Sequence, residues 1–281
     1  MKFVTFVHDG AIEAGVLRGE SVTGLSGAGY ADMLSVIAGA REARVRIESY
    51  LESSPVSVPL ASVKLRAPVP KPNKIICVGL NYRDHAEESN MEIPKVPTIF
   101  CKFATAVIGP GDGIVLPKVS SKPDYEAEMA VVIGEGGRNI EAGDWSRHVF
   151  GYMNLNDVSA RDYQMATTQW LMGKTFDTFA PMGPYIVSAD EIADPHDLDI
   201  KITINGEVLQ SSNTKHLIFR IPDLIAYLSS VFTLEPGDII STGTPAGVGF
   251  ARKPPRWLTA GDDVVVSVQG LGELRNPVIA E

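Results

Sequence analysis

Cysteine is scarce in this chain. Cys77 and Cys101 are the only two among 281 residues. They form no Cys-x-x-Cys pair and are too few for a disulfide framework. Both sit in apolar, strand-like runs and read as buried, reduced thiols. Positive charge is short as well. The 25 Lys and Arg against 34 Asp and Glu leave a formal net charge of −9, which speaks against broad attraction to nucleic acid or to an anionic membrane. A local basic pocket for an anionic substrate remains compatible with it. No apolar run approaches ~18 residues, so no membrane span is expected. The opening stretch Met1–Val7 is too short for a signal peptide and reads as a strand. These shortages together predict a soluble protein of a reducing compartment, placed in the cytoplasm.

Apolar residues make up 44% and charged residues 21%, an ordinary globular balance. Residues 1–70 read as a small leading domain, with strands at 2–7, 14–17 and 21–24 and a helix over 31–38. An element of either type follows at 43–51, and a last strand at 63–65. Pro68, Pro70 and Pro72 then stiffen the connection. Residues 71–281 are strand-rich. Asn205-Gly206 between two alternating runs is a hairpin signal, and 222–228, with proline at an early position, is the clearest helix. Helices do not follow strands regularly, so the expected class is mixed β (α+β) rather than a doubly wound sheet or an alternating barrel.

Four constellations carry chemistry. In Tyr125–Ile133, Glu126 and Glu128 leave one face of a strand, a face that continues with Ala130 and Val132. Carboxylates converging beside buried packing repel unless a cation or proton separates them. With Asp157 as a third, they would suit Mg²⁺ or Mn²⁺; salt-bridged or solvated acids are the other reading. In 79–88, His85 and Glu88 would share a helical face at i,i+3, either as a general base with its orienting acid or as surface residues. Pro94 and Pro97 make 89–97 a loop fit to cover a site, with Met91, Ile93 and Val96 on it. Arg161, Gln164 and Lys174 are donors for an anionic substrate or a developing oxyanion, or surface residues. The small-residue run Ser241–Gly249 lacks the Walker lysine and reads as a tight turn or a backbone cradle for a carboxylate.

The blocks GLNYRDHAEE (79–88), DYEAEMAVVIG (124–134), NDVSARDYQ (156–164), GKTFDTFAPMGP (173–184) and LEPGDIISTGTPAGVG (234–249) together resemble the fumarylacetoacetate hydrolase (FAH) superfamily. The resemblance implies a β-roll-like catalytic body preceded by a small N-terminal α/β domain. It implies Mg²⁺ or Mn²⁺ on Glu126, Glu128 and Asp157, and a lid dyad of His85 and Glu88. It also implies Lys174 as a catalytic cation, with Arg161, Gln164 and Thr244 on the substrate, and assembly as a homodimer. The block at 79–88 offers Asn81 and Tyr82 where the long eukaryotic enzyme has an extra aspartate. The expected activity is hydrolysis of a C–C bond in a 2,4-diketo acid, an acylpyruvate or diketo-deoxy sugar acid, through a pyruvate enolate. The alternatives are oxaloacetate decarboxylation, hydroxymuconate-type isomerase or lyase chemistry, and keto–enol tautomerisation. The partner is a small anionic 2-oxo acid, with neither nucleic acid nor membrane.

Overall fold

The computed structural model describes residues 1–281. In chain order, the strands that build the site and its support are β1 (Lys2–His8), β2 (Ala11–Arg18), β3 (Ser21–Gly24), β4 (Ile75–Gly79), β5 (Thr98–Lys102), β6 (Ala127–Ile133), β7 (Val149–Asn156), β8 (Ala180–Ser188), β9 (Asp199–Ile204), β10 (Glu207–Asn213), β11 (Ile239–Ser241), β12 (Asp263–Val268) and β13 (Glu273–Ala280). The helices are α1 (Met33–Ala38), α2 (Ala40–Glu52), α3 (Arg83–Glu88), α4 (Arg161–Gln164), α5 (Leu171–Lys174) and α6 (Ile221–Val231). The fold is mixed α+β, with an N-terminal α/β region and a larger β-sheet body.

The large sheet runs β3-β2-β1-β8-β7-β6-β11-β4-β5. Along this path only β11 and β4 are parallel neighbours. Every residue of β6 is buried because both faces of the sheet are covered. Met129, Val131 and Ile133 enter one core with Ile200, Val266 and Leu224, from β9, β12 and α6. Ala130 and Val132 enter another with Phe3, Ile37 and Ile47, from β1, α1 and α2. That double cover explains the uninterrupted apolar run 129–133, where a half-exposed strand would alternate.

Local chemistry sets the element ends. Asp32 caps α1, its Oδ1 accepting from the Ser35 N–H at 2.7 Å. In the stretch the sequence leaves open between helix and strand, Ala43, Ile47 and Leu51 are buried at four-residue spacing; that period selects a helix. Asn205 and Gly206 both have positive φ, 53° and 81°, the conformation a tight β9–β10 hairpin needs. Cys101 corrects the expectation of two buried thiols: Cys77 is buried but Cys101 is exposed. β5 ends the sheet, and its alternation turns Lys102 inward and its neighbour outward.

The sheet is strongly curled. β5 and β7 are separated by β6, β11 and β4, about 19 Å if flat, yet Lys102 at the end of β5 forms a buried ion pair with Asp157 just beyond β7. The sheet therefore bends around the place where the acids meet.

Candidate active site

Strand register brings the acids together. Ala127 lies opposite Asn156 and Glu128 opposite Leu155, so Glu126 falls opposite Asp157, whose N–H donates to the Glu126 carbonyl at 2.9 Å. One oxygen from each of Glu126, Glu128 and Asp157 lies within 4.8 Å of the others. All three residues are buried, with 5%, 2% and 0% of their surface exposed.

Cations surround two of the three. Lys174 on α5 bridges Glu126 at 2.7 Å and Asp157 at 2.9 Å. Lys102 pairs with Asp157 and donates to the Val158 carbonyl at 3.0 Å. Arg161 on α4 lies 2.7 Å from Glu126 and 2.8 Å from Asp124. Glu128 has no cationic partner; its Oε2 accepts from the Ser241 hydroxyl and, at 2.8 Å, from the Gly243 N–H. Burial, reinforced by the charges of Asp157 and Glu126, pushes the Glu128 carboxyl well above the usual carboxylate range. Burial acts the same way on Glu126, but Lys174 and Arg161 outweigh it and hold that carboxyl down to about 2. Burial disfavours the Lys174 ammonium, yet Asp157 and Glu126 more than offset this and raise its pKa. An all-oxygen donor set, closely spaced and with one member electrostatically uncompensated, fits a hard divalent cation.

A cavity of about 160 Å³ opens onto Glu126, Glu128 and Lys174. Helix α3 forms one wall. His85 is buried and lines the cavity, its Nδ1 3.5 Å from Glu88 Oε2 and without a hydrogen-bond partner. Glu88 accepts from the Gly247 N–H, which ties α3 to the small-residue loop after β11. Beyond Ser89 no regular element forms until β5, and Met91, Ile93 and Val96 are exposed. Gly79, Phe100 and Trp170 make an apolar end wall, with the two rings edge-on at 5.5 Å. A Cβ at Gly79 would lie 2.3 Å from Trp170 Cζ3, so only glycine permits that approach. Larger clefts lie between α2 and Phe150, about 460 Å³, and over the outer face of β9, β10 and β12, about 730 Å³. Neither contains the acid cluster, so chemistry rather than size locates the site.

The structure brings all nine residues singled out in the sequence to this one region. Gln164 and Thr244 line the cavity. The Arg161 guanidinium donates to Gln164 Oε1 at 2.8 Å, and Thr244 Oγ1 accepts from Gln210 Nε2 at 2.8 Å, leaving its own hydrogen free to donate. Three contributors went unread. Lys102 signalled itself only by interrupting the apolar run of β5. Ser241 resembled any other residue of a small-residue loop. Asp124 is wholly buried, and its carboxylate accepts from Arg161 Nε and from the N–H groups of Tyr125, Gly249 and Phe250. It thereby fixes the loop, and with it the Phe250 ring, whose centroid is 4.6 Å from the Arg161 guanidinium and 6.3 Å from the His85 ring.

Known proteins are similar to this chain in sequence and fold. A family model for the C-terminal part of fumarylacetoacetate hydrolase matches residues 74–279. A mitochondrial oxaloacetate tautomerase of Rattus norvegicus is 52% identical over 223 residues, 79% of this chain and 71% of the relative. The fumarylacetoacetate hydrolase of Exiguobacterium antarcticum superposes with a TM-score of 0.89 at 37% identity over the whole of both chains. Maleylpyruvate hydrolase of Sphingobium sp. SYK-6, solved with manganese(II) and pyruvate, gives 0.86 at 34% identity, covering 100% of this chain and 99% of that one. These relatives overturn the cytoplasmic placement: oxaloacetate tautomerases from rat, cattle, human and Xenopus laevis all carry mitochondrial names. No helix is long and apolar enough to cross a membrane.

Proposed function

The chain belongs to the fumarylacetoacetate hydrolase family, and on that footing we propose that it interconverts the keto and enol forms of oxaloacetate or a closely similar short 2-oxo diacid. The broader chemistry is that of a metal-associated enzyme, cleaving C–C bonds or isomerising small 2-oxo or diketo acids. Within that range, the observation that carries the tautomerase reading is the small cavity, about 160 Å³, opening directly onto the buried carboxylates of Glu126 and Glu128 and the Lys174 ammonium. The names of relatives at 49–52% identity support it.

Mg²⁺ or Mn²⁺ held by Glu126, Glu128 and Asp157 would supply a Lewis acid that polarises the 2-oxo group and makes the adjacent C–H more acidic. Arg161, Gln164 and Thr244 orient the substrate. The His85 ring, with Glu88 3.5 Å behind it, takes a proton from C3, and the electron pair of that C–H bond becomes the C2–C3 double bond. Negative charge develops on the C2 oxygen, where the Lys174 ammonium stabilises it. Protonation of that oxygen completes the enol, and the reverse sequence returns the keto acid. No bond between carbons breaks and no water is consumed.

Hydrolysis of a 2,4-diketo acid, the first expectation from the sequence, takes second place. The His85–Glu88 dyad favours it, since the same ring could deprotonate water, and a hydrolase stands among the structural relatives. The deciding experiment follows the decay of enol absorbance on adding enzyme and Mg²⁺ or Mn²⁺ to freshly dissolved oxaloacetate, beside an acylpyruvate assay. Acceleration of the first with little acylpyruvate cleavage is expected; the opposite result removes the tautomerase reading. The homodimer is part of the same proposal, and a light-scattering mass of a single chain would remove it.

A further inference from the structure

Ser89 closes helix α3, its N–H donating to the His85 carbonyl at 3.0 Å. It stands four positions after His85, so the two side chains share a helical face. Both line the cavity that opens onto Glu126 and Glu128, and while His85 Nδ1 faces Glu88 at 3.5 Å, Ser89 brings to the cavity wall a buried Oγ that lacks any hydrogen-bond partner. A buried, unpaired hydroxyl is costly, because it has given up water without gaining a partner. On a helix that walls one enclosed space, such a hydroxyl marks a surface built to meet an oxygen atom that a ligand brings.

The cavity limits what that ligand can be. At about 160 Å³ it holds the volume of roughly five water molecules, well below the ~300–1,000 Å³ of drug-sized sites. One end is set by the carboxylates and Lys174, which suit a chelating 2-oxo acid. A second end rich in oxygen must then lie only a bond or two further on. Met91 and Met165 also line the space but offer no hydrogen-bond donor, and the Phe100–Trp170 wall is apolar.

We infer that Ser89 is a specificity residue, its hydroxyl donating to the distal carboxylate of a four-carbon 2-oxo dicarboxylate. This rests on the tautomerase reading of the site and deepens it. The 2-oxo acid end sits at the acid cluster, the C3 hydrogen lies under His85, and the far carboxylate lies under Ser89, about one helical turn along α3. A 2-oxo acid with an alkyl tail in place of that carboxylate would leave the serine unpaired.

Binding separates the two claims. Calorimetry on the Mn²⁺-loaded protein would compare oxalate, which offers only the chelating end, with 3,3-difluorooxaloacetate, which carries both ends and cannot enolise. Ser89→Ala should leave oxalate affinity unchanged and weaken the difluoro dicarboxylate about tenfold or more. Ser89→Thr, which keeps the hydroxyl, should retain the dicarboxylate. Equal effects on both ligands, or none on either, would overturn the assignment. Failure of the wild-type enzyme to tautomerise oxaloacetate would remove the proposed function while leaving this binding difference standing.

Discussion

The backbone N–H of Gly247 lies 3.0 Å from each carboxylate oxygen of Glu88 and donates to that carboxylate. One charged side chain on α3 is thus held by the loop that forms the opposite rim of the cavity. Glu88 thereby makes two contacts: it stands 3.5 Å behind the His85 ring and it ties the helix to the loop.

The latch depends on glycine. Gly247 has φ near +101°, and a Cβ there would lie 2.3 Å from the Leu209 carbonyl oxygen. Gly247→Ala should destabilise the fold by ~1 kcal/mol or more in denaturant unfolding and lower kcat through loss of lid docking. Unchanged stability and turnover would show that the loop has another conformation to use.

The same contact predicts a pH effect. Burial favours the neutral Glu88 carboxyl, but the His85 ring, the Gly247 N–H and Arg252 outweigh it and hold its pKa below the ordinary 4.5. A carboxyl depressed in the folded state contributes docking energy fully above its unfolded value and loses it as pH falls through the lowered one. Amide protection over 83–89 should therefore hold down to about pH 4.5 and collapse below it. Glu88→Gln should show weaker protection at neutral pH and no such step.

Metal binding and proton transfer should separate by mutation. Glu126→Ala removes one proposed ligand and leaves Arg161 and Lys174 short of an anion, so it should abolish both Mn²⁺ binding by calorimetry and turnover. His85→Ala should spare Mn²⁺ binding and cut kcat ~10²-fold or more. Full activity in either variant would reassign the corresponding role.

Lys102 offers a stability test. Its ammonium and the Asp157 carboxylate are both wholly buried, and removing one partner of such a pair costs ~3–5 kcal/mol. Lys102→Met should lose less than that without metal, because Lys174 still pairs with Asp157 at 2.9 Å. Saturating Mn²⁺ should recover part of it, about 2.7 kcal/mol at a hundredfold excess over Kd. A metal-independent loss would mean that Asp157 does not contact the ion.

How much of this could be read in advance follows from the range of the interactions. Glu126 and Glu128 were legible because a strand period of two and an interrupted polar face are local properties, whereas Asp157 stood only as a third candidate that the family resemblance supported. His85 and Glu88 were legible through helical spacing. Lys102 was not, because its approach to Asp157 depends on the curl of the whole sheet. Asp124 was not, because its partners include backbone N–H groups more than a hundred residues away, and a backbone donor has no residue type to notice. Cys101 was misjudged because an apolar run does not reveal that its strand is the last in the sheet. The relatives' compartment is likewise invisible to side-chain chemistry.

The pairing of β1 with β8, Lys2 opposite Val187 and Phe3 opposite Ile186, has a consequence for any shortened version of this protein. Starting the chain after residue 70 would strip a hydrogen-bonded flank from β8 and bare Met182 and Ile186, which pack with Phe3, Val16 and Ile37. Unpaired backbone beside freshly uncovered apolar surface is a template for aggregation. The first seventy residues are part of the cover that keeps this sheet closed to its neighbours.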